Sequence, residues 1–208
     1  MNRIIAIVLA FCYVGLTAQA EFTLATFTAD VTSPLGHPGM AGGIEPAKEI
    51  VDPLFAKGIV LMGGEKPVVF LSIDWCEIRN DAYNRWRDVI AEAAGTTPQH
   101  VLLAAIHQHD TPVADLTAQK LLDEVGLEKS LCFVDFHEEA VQRTAQALRD
   151  ALPSAQPVTH YGMGVAQVME VTSNRRLVHP DGAIDFGRNS SSPAEIGALP
   201  IDLVDPWL

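Results

Sequence analysis

Two runs that are apolar at nearly every position, joined by one segment with helical spacing, constrain the fold of this chain more than any other feature. The runs occupy residues 68–73 and 101–106, and a continuous apolar run of this length is typical of a strand covered on both faces. Between them, residues 79–95 repeat apolar side chains every three or four positions and end at Gly95, which indicates an amphipathic helix. Strand, helix and strand in this order predict a βαβ unit with two parallel strands and a right-handed crossover.

The remaining segments extend this unit into a larger domain. A Gly/Pro-rich stretch at 33–46 predicts a long loop, and a Gly-Gly turn at 63–66 predicts a hairpin that leads into the first apolar run. We expect an α/β fold with a mixed, largely parallel sheet built from βαβ units. The apolar content of 48% and the charged content of 19% fit a folded domain rather than a disordered chain. Further predicted elements are strands at 22–32 and 157–168, a helix at 133–152 and a hairpin around 180–182.

Residues 1–20 have the composition of a secretory signal peptide. A short basic start is followed by an apolar stretch and by a small-x-small cleavage pattern that ends at Ala20. The apolar stretch is too short to cross the hydrocarbon core of a membrane comfortably, so a spanning helix is the weaker interpretation. We expect cleavage after Ala20, a domain over residues 21–208 without a transmembrane segment, and a periplasmic or secreted protein.

The charge of the chain argues against one class of partner. Acidic residues outnumber basic ones 26 to 14, which gives a formal net charge of −12. An acidic protein is repelled by a phosphate backbone and by an anionic membrane surface. We therefore expect no nucleic-acid partner.

The cysteines allow two interpretations. Outside the leader the chain contains Cys76 and Cys132. An oxidising compartment would permit a disulfide between them, and two separate buried thiols are equally compatible with the sequence.

The candidate site is the segment His107-Gln108-His109, which follows the second apolar run directly. Ligands bind beyond the carboxyl ends of parallel strands, and Asp74 ends the neighbouring run, so these side chains should share one edge of the sheet. Residues two apart on an extended strand point the same way, with α-carbons roughly 6.6 Å apart. The two imidazoles could bind one zinc ion, or one could bind metal and the other substrate, with Asp74 or Asp110 orienting a ligand histidine. The competing interpretation is a solvated polar end of a strand.

The other histidines are weaker candidates. His137 falls on the apolar face of the predicted 133–152 helix, where a packed core histidine is expected. His37 lies in the Gly/Pro-rich loop, and we expect it to be mobile. His100, His160 and His179 lie at strand beginnings or in a turn, away from the carboxyl edge.

Four motifs in order resemble the N-terminal part of the neutral/alkaline non-lysosomal ceramidase family, and a fifth resembles its later Asn-Arg segment. Each motif is short and weak alone, and the ordered set covers most of residues 22–178. The motifs are ADVTSPLG at 29–36, VDPLFAKGIVL at 51–61, VVFLSIDW at 68–75, VLLAAIHQHDTP at 101–112, and SNRRLV at 173–178.

The resemblance implies a zinc-dependent amidase in which a metal-activated water cleaves an N-acyl amide such as that of ceramide. It therefore implies a small-molecule or lipid-like acyl amide as the substrate. It implies that His107 is a zinc ligand and that His109 contacts the reacting amide. Gln108, Asp110 and Thr111 replace the family's usual Thr, Ser and Gly, so the edge of the pocket differs.

The family's further zinc ligands, a second His, a Glu and a Tyr, come from chain beyond these motifs. No residue here matches them, so the zinc site requires ligands not found in this chain. The alternatives are a non-catalytic exported binding or remnant domain, and a metal-dependent esterase or lactonase on the same scaffold.

Overall fold

The computed structural model describes residues 22–168, 176–179 and 181–185. The predicted signal peptide at 1–20 and part of the SNRRLV motif lie outside these residues. The chain divides into two compact units, at 1–159 and 160–208. In the second unit the described residues form one antiparallel hairpin, β8 (Leu177–Val178) with β9 (Ile184–Asp185), which confirms the predicted turn.

The described residues of the first unit form three α-helices, a five-stranded sheet and a two-stranded sheet. The helices are α1 (Asn80–Ala94), α2 (Leu116–Asp123) and α3 (Val134–Ala151). The large sheet contains β1 (Thr23–Asp30), β2 (Phe55–Met62), β3 (Val68–Ile73), β5 (Val101–Ala105) and β7 (Gln156–Pro157). The small sheet pairs β4 (Glu77–Arg79) with β6 (Val113–Asp115).

The large sheet has the strand order β5-β3-β2-β1-β7. β3 and β5 pair in parallel and are connected through α1, so the predicted βαβ unit and the mixed α/β class are confirmed. The sheet has fewer parallel pairs than the sequence analysis expects, because β2–β3, β1–β2 and β1–β7 are antiparallel. The turn at residues 63–67 joins β2 to β3, and only antiparallel neighbours can be joined by so short a connection.

One face of the large sheet carries the hydrophobic core. Side chains from alternate strand positions pack there against α1 and α3, with Leu71, Leu103 and Leu148 among the buried members. On the opposite face, Phe70 is 43% exposed and Leu102 is 58% exposed. The expectation that the apolar runs are covered on both faces is therefore wrong for the part of the chain that the structure describes.

The core contains a cluster of rings between the sheet and the two long helices. Trp75 and Trp86 meet edge to face with ring centroids 5.7 Å apart, and Trp75 Nε1 donates to the Val31 carbonyl at 3.0 Å. His137 lies beside both tryptophans and is 2% exposed, which confirms its predicted place in the core. Burial lowers the pKa of His137 to about 4, so the ring is neutral at pH 7.

Three further details differ from the sequence analysis. The elements β4, β6 and α2 were not predicted. The strand expected at 157–168 is reduced to β7, which ends at Pro157, with one further hydrogen bond from the Val158 N–H to the Phe22 carbonyl at 2.7 Å. His37 is 3% exposed rather than mobile, and its Nε2 accepts a hydrogen bond from the Phe133 N–H at 3.2 Å.

No helix among the described residues is both long enough and apolar enough to cross a bilayer.

Candidate metal centre

The carboxyl ends of β3 and β5 lie side by side, and the candidate residues follow directly. The Ile106 N–H donates to the Ile73 carbonyl at 3.1 Å, and the His107 N–H donates to the Trp75 carbonyl at 3.1 Å. His107 is therefore joined by its backbone to the segment that leaves β3. The two strand ends form one edge, as the βαβ prediction requires.

The backbone of His107 is left-handed, with φ at +67°. A non-glycine residue held there costs about 1–3 kcal/mol, although histidine tolerates this region better than most residues. The chain therefore stops being extended at His107, which differs from the geometry assumed for the His107-Gln108-His109 segment. With this backbone, the imidazole lies against Cys76 and Glu77 rather than against Asp74.

The inner ring nitrogen of His107 has three neighbours. Nδ1 lies 3.2 Å from the Cys76 carbonyl oxygen, 3.5 Å from Glu77 Oε1 and 3.8 Å from Cys76 Sγ. A carbonyl oxygen can only accept, so the hydrogen bond places the imidazole proton on Nδ1. In the neutral ring Nε2 then keeps its lone pair, and the side chain is 56% exposed. A neutral imidazole fixed in this way presents one nitrogen to a metal ion.

His109 is the second residue brought to this position. The rings of His107 and His109 have centroids 5.0 Å apart and are nearly perpendicular, at 81°. Both histidines are exposed. The pair therefore converges on one solvent-facing place, although the backbone that brings the rings together is not an extended strand.

The two aspartates proposed as orienting groups occupy other places. Asp74 Oδ2 accepts from the Phe55 N–H at 2.9 Å, and the Asp74 N–H donates to the Phe55 carbonyl at 2.9 Å. This carboxylate thus ties the end of β3 to the start of β2. Asp110 is exposed in the turn after His109. The carboxylate nearest to His107 is that of Glu77.

Cys76 and Glu77 are the site residues that the sequence analysis missed. Glu77 pairs through Oε2 with Arg79, while Oε1 faces His107. Burial, and then the neighbouring Glu77 carboxylate, raise the pKa of the Cys76 thiol. Both residues follow β3 by only a few positions, so the rule that placed the histidines at the carboxyl edge could also have placed Cys76 and Glu77 there.

Cys76, Glu77 and His107 open onto one cavity of about 270 Å³. Their Sγ, carboxylate and imidazole donor atoms all lie within 4.8 Å of one another. Sulfur, nitrogen and carboxylate oxygen are the donors that proteins use for Zn²⁺. The residues present therefore fit a zinc-type ion, either at the outer nitrogen of His107 or at the cavity. The other residues that line the cavity are Ile78, Arg79, Tyr83, Leu103 and Ala105.

Comparison with solved structures identifies a ceramidase-like fold. The chain is similar to the neutral ceramidase from Pseudomonas aeruginosa, with a TM-score of 0.57 and 20% sequence identity, over 90% of this chain and 28% of that chain. It is also similar to a ceramidase complexed with C2, with a TM-score of 0.54 and 18% identity over the same shares. The chain thus spans 28% of the length of these enzymes. No protein-family model and no curated protein sequence matches it.

Proposed function

We propose that the chain is the N-terminal part of an exported zinc-dependent hydrolase of neutral ceramidase type, which cleaves an N-acyl amide. The observation that carries the proposal is the state of His107 at the carboxyl edge of a ceramidase-like sheet. Its Nδ1 is engaged by the Cys76 carbonyl, so Nε2 is free to bind a metal. The likeness to ceramidases supports the choice of substrate class, and the apolar leader supports export to the periplasm or the medium.

In this proposal each histidine has a separate role. His107 would hold the zinc ion through Nε2, and the hydrogen bond to Cys76 would keep its ring oriented and its proton on Nδ1. His109, with its ring 5.0 Å away, would contact the scissile amide of the substrate. Bound zinc lowers the pKa of a water molecule and polarises a carbonyl. The further ligands that complete such a centre would come from the rest of the enzyme.

The substrate would be a small lipid-like acyl amide. Gln108, Asp110 and Thr111 differ from the residues usual in the family, and of these Gln108 and Asp110 are exposed beside the histidines. The acyl amide hydrolysed would therefore differ from ceramide at the part that meets this edge. Asp74 would contribute to the site indirectly, because its hydrogen bonds to Phe55 hold the end of β3 in place.

The test is the zinc content of the full-length gene product, purified with its own metal. His107→Asn removes the imidazole but keeps a residue that accepts a left-handed backbone. We expect about one zinc per chain in the wild type and a loss of roughly 10-fold or more in this variant. His179→Asn is the matched control, because the His179 side chain is exposed in the hairpin of the second unit. Unchanged zinc in His107→Asn would refute the metal assignment.

Measurements of hydrolytic activity distinguish the metal-binding role of His107 from the substrate-binding role of His109. His109→Asn should keep its zinc and lose roughly 100-fold or more in kcat towards an N-acyl amide, because a positioned histidine typically contributes that factor. A zinc-loaded wild type that hydrolyses esters or lactones and no amide would contradict the amidase assignment. Failure to hydrolyse any acyl substrate would favour a non-catalytic binding domain.

A further inference from the structure

We propose that His107 has a second metal position, on its inner side, formed with the thiolate of Cys76 and the carboxylate of Glu77. The inference shares His107 with the proposed hydrolase and does not require hydrolysis. It rests on three donor atoms that face one cavity, within 4.8 Å of one another.

Two of the three distances between these donor atoms are close to those around a tetrahedral zinc-type ion. Bond lengths of about 2.3 Å to sulfur and about 2.05 Å to nitrogen or oxygen place tetrahedral ligand atoms about 3.6 Å (S to N) and about 3.3 Å (N to O) apart. The corresponding distances are 3.8 Å from Cys76 Sγ to His107 Nδ1 and 3.5 Å from Nδ1 to Glu77 Oε1. Shifts of about 0.2 Å would therefore bring both pairs to ligand spacing.

The surroundings select the kind of ion and leave it one open position. A thiolate, an imidazole and a carboxylate together favour Zn²⁺ or Co²⁺ over Mg²⁺ or Ca²⁺, which prefer oxygen ligands alone. Three protein ligands leave the fourth position of a tetrahedral ion for water, and the cavity has room for it at about 270 Å³. Cys76 is 2% exposed, so the cavity side is its route to an ion.

Two features hold the ligands in place before an ion arrives. The left-handed backbone of His107, fixed by its N–H bond to Trp75, keeps the ring against Cys76. Arg79 binds Glu77 Oε2 and leaves Oε1 towards His107. When an ion binds, the Cys76 thiol releases its proton to solvent, so the thiolate and the carboxylate supply two negative charges. Against the two positive charges of the ion and the charge of Arg79, the occupied site carries one net positive charge.

The inner position and the outer one share one imidazole. An ion on Nδ1 displaces the proton that Nδ1 donates to the Cys76 carbonyl, and a neutral imidazole then carries its proton on Nε2. An ion on Nε2 displaces that second proton to solvent as well, which leaves an imidazolate between the two ions. Occupancy of the outer position therefore does not prevent the inner one from filling at saturating metal.

The test uses Co²⁺ added to the zinc-free full-length protein, because a cobalt–thiolate bond gives a near-ultraviolet charge-transfer absorption. We expect this band in the wild type and in Cys132→Ser, and not in Cys76→Ser. Cys132 is the matched control, since it is also a buried free thiol but contacts the Asp115 carbonyl instead of a histidine. A wild type that shows no band at saturating Co²⁺, or a band that disappears only in Cys132→Ser, would overturn the proposal.

A second measurement, the rate of thiol alkylation, uses the wild-type protein and so does not depend on whether a variant folds. Saturating Zn²⁺ should slow alkylation of Cys76 in the native wild type by roughly 10-fold or more, and should leave the rate at Cys132 unchanged. Equal rates at Cys76 with and without Zn²⁺ would overturn the inner position. The hydrolase proposal would still stand in that case if His107→Asn loses zinc, so the two failures are distinguishable. Glu77→Gln should weaken Co²⁺ binding at least roughly 10-fold with the band retained, and unchanged affinity would remove Glu77 from the ligand set.

Discussion

The two faces of the large sheet are built from the same strands and have opposite environments. Leu103 and Leu102 are neighbours on β5, yet Leu103 is 6% exposed beneath the helices and Leu102 is 58% exposed on the other side. On β3, Leu71 and Phe70 differ in the same way. Successive side chains on a strand point to opposite faces, so each strand contributes to both environments.

The comparison shows where the stability of the first unit resides. Burial of apolar area contributes about 25 cal/mol per Å² only where water is excluded, and the described helices exclude it on one face alone. The other face keeps apolar side chains in contact with solvent. We expect substitutions on the two faces to differ in their effect on the free energy of unfolding, although their chemistry is identical.

The largest difference should come from the two neighbouring leucines. Leu103→Ala should lower the free energy of unfolding by about 3–4 kcal/mol, because it leaves a cavity under α1. Leu102→Ala should lower it by less than about 1 kcal/mol, because the side chain is already in solvent. Urea unfolding followed by the fluorescence of the buried tryptophans measures both. A loss at Leu102 as large as that at Leu103 would show that the open face is covered in the protein under test.

The second largest effect is the pH dependence of the free energy of unfolding that comes from His137, which is buried on the covered face. The pKa of His137 is lowered to about 4, against an ordinary value near 6.5, so protonation favours the unfolded chain. Its stabilising contribution is complete above pH 6.5 and is lost as the pH falls towards 4, to a total of about 3 kcal/mol. The free energy of unfolding measured from pH 8 to pH 4 tests this. In His137→Leu that part of the slope should disappear, and an unchanged slope would contradict the assignment.

The smallest effect tests how closely the covered face is packed. Gly58 on β2 faces Phe27 on β1, and a Cβ at Gly58 would overlap the Phe27 ring. Gly58→Ala should therefore lower the free energy of unfolding by about 1–2 kcal/mol through overpacking. Gly64→Ala in the β2–β3 turn is the control, because the new methyl would meet only the Lys66 carbonyl oxygen, at an ordinary contact distance of 3.9 Å, and the expected change is within about 0.5 kcal/mol. Equal melting temperatures for the two variants would mean that the Phe27 ring moves aside freely.

Patterns within one element were enough to predict most of the fold. Helical spacing identified α1 and α3, Gly95 ended α1 in a left-handed conformation, and the two apolar runs became the parallel pair β3 and β5. The same runs could not show which face is open, because a run that is apolar at nearly every position lacks the alternation that distinguishes a solvent-exposed face from a buried one. The helix α2 was missed, although Asp115 gives the signal by accepting the Ala118 N–H at its start.

The candidate site was predicted in position and missed in detail. The carboxyl-edge rule placed His107 and His109 together, because it depends on topology alone. The contacts with Cys76 and Glu77 depend on the positive φ of His107, and nothing in the spacing of the residues specifies that angle. Burial of His37 likewise depends on the N–H of Phe133, 96 residues away in the chain. A contact between distant residues is fixed by tertiary packing and not by a local pattern.

The hydrogen bonds that anchor the Gly/Pro-rich loop limit how segments of this protein can be grafted. The Gly/Pro-rich stretch at 33–46 is bound at two points: His37 accepts from the Phe133 N–H, and the Met40 N–H donates to the Thr111 carbonyl at 2.9 Å. Thr111 follows His109 by two residues, so this bond ties the loop to the end of the histidine segment. The conformations of the loop and of the histidine segment therefore depend on each other. A graft that transplants either of them should carry the other with it.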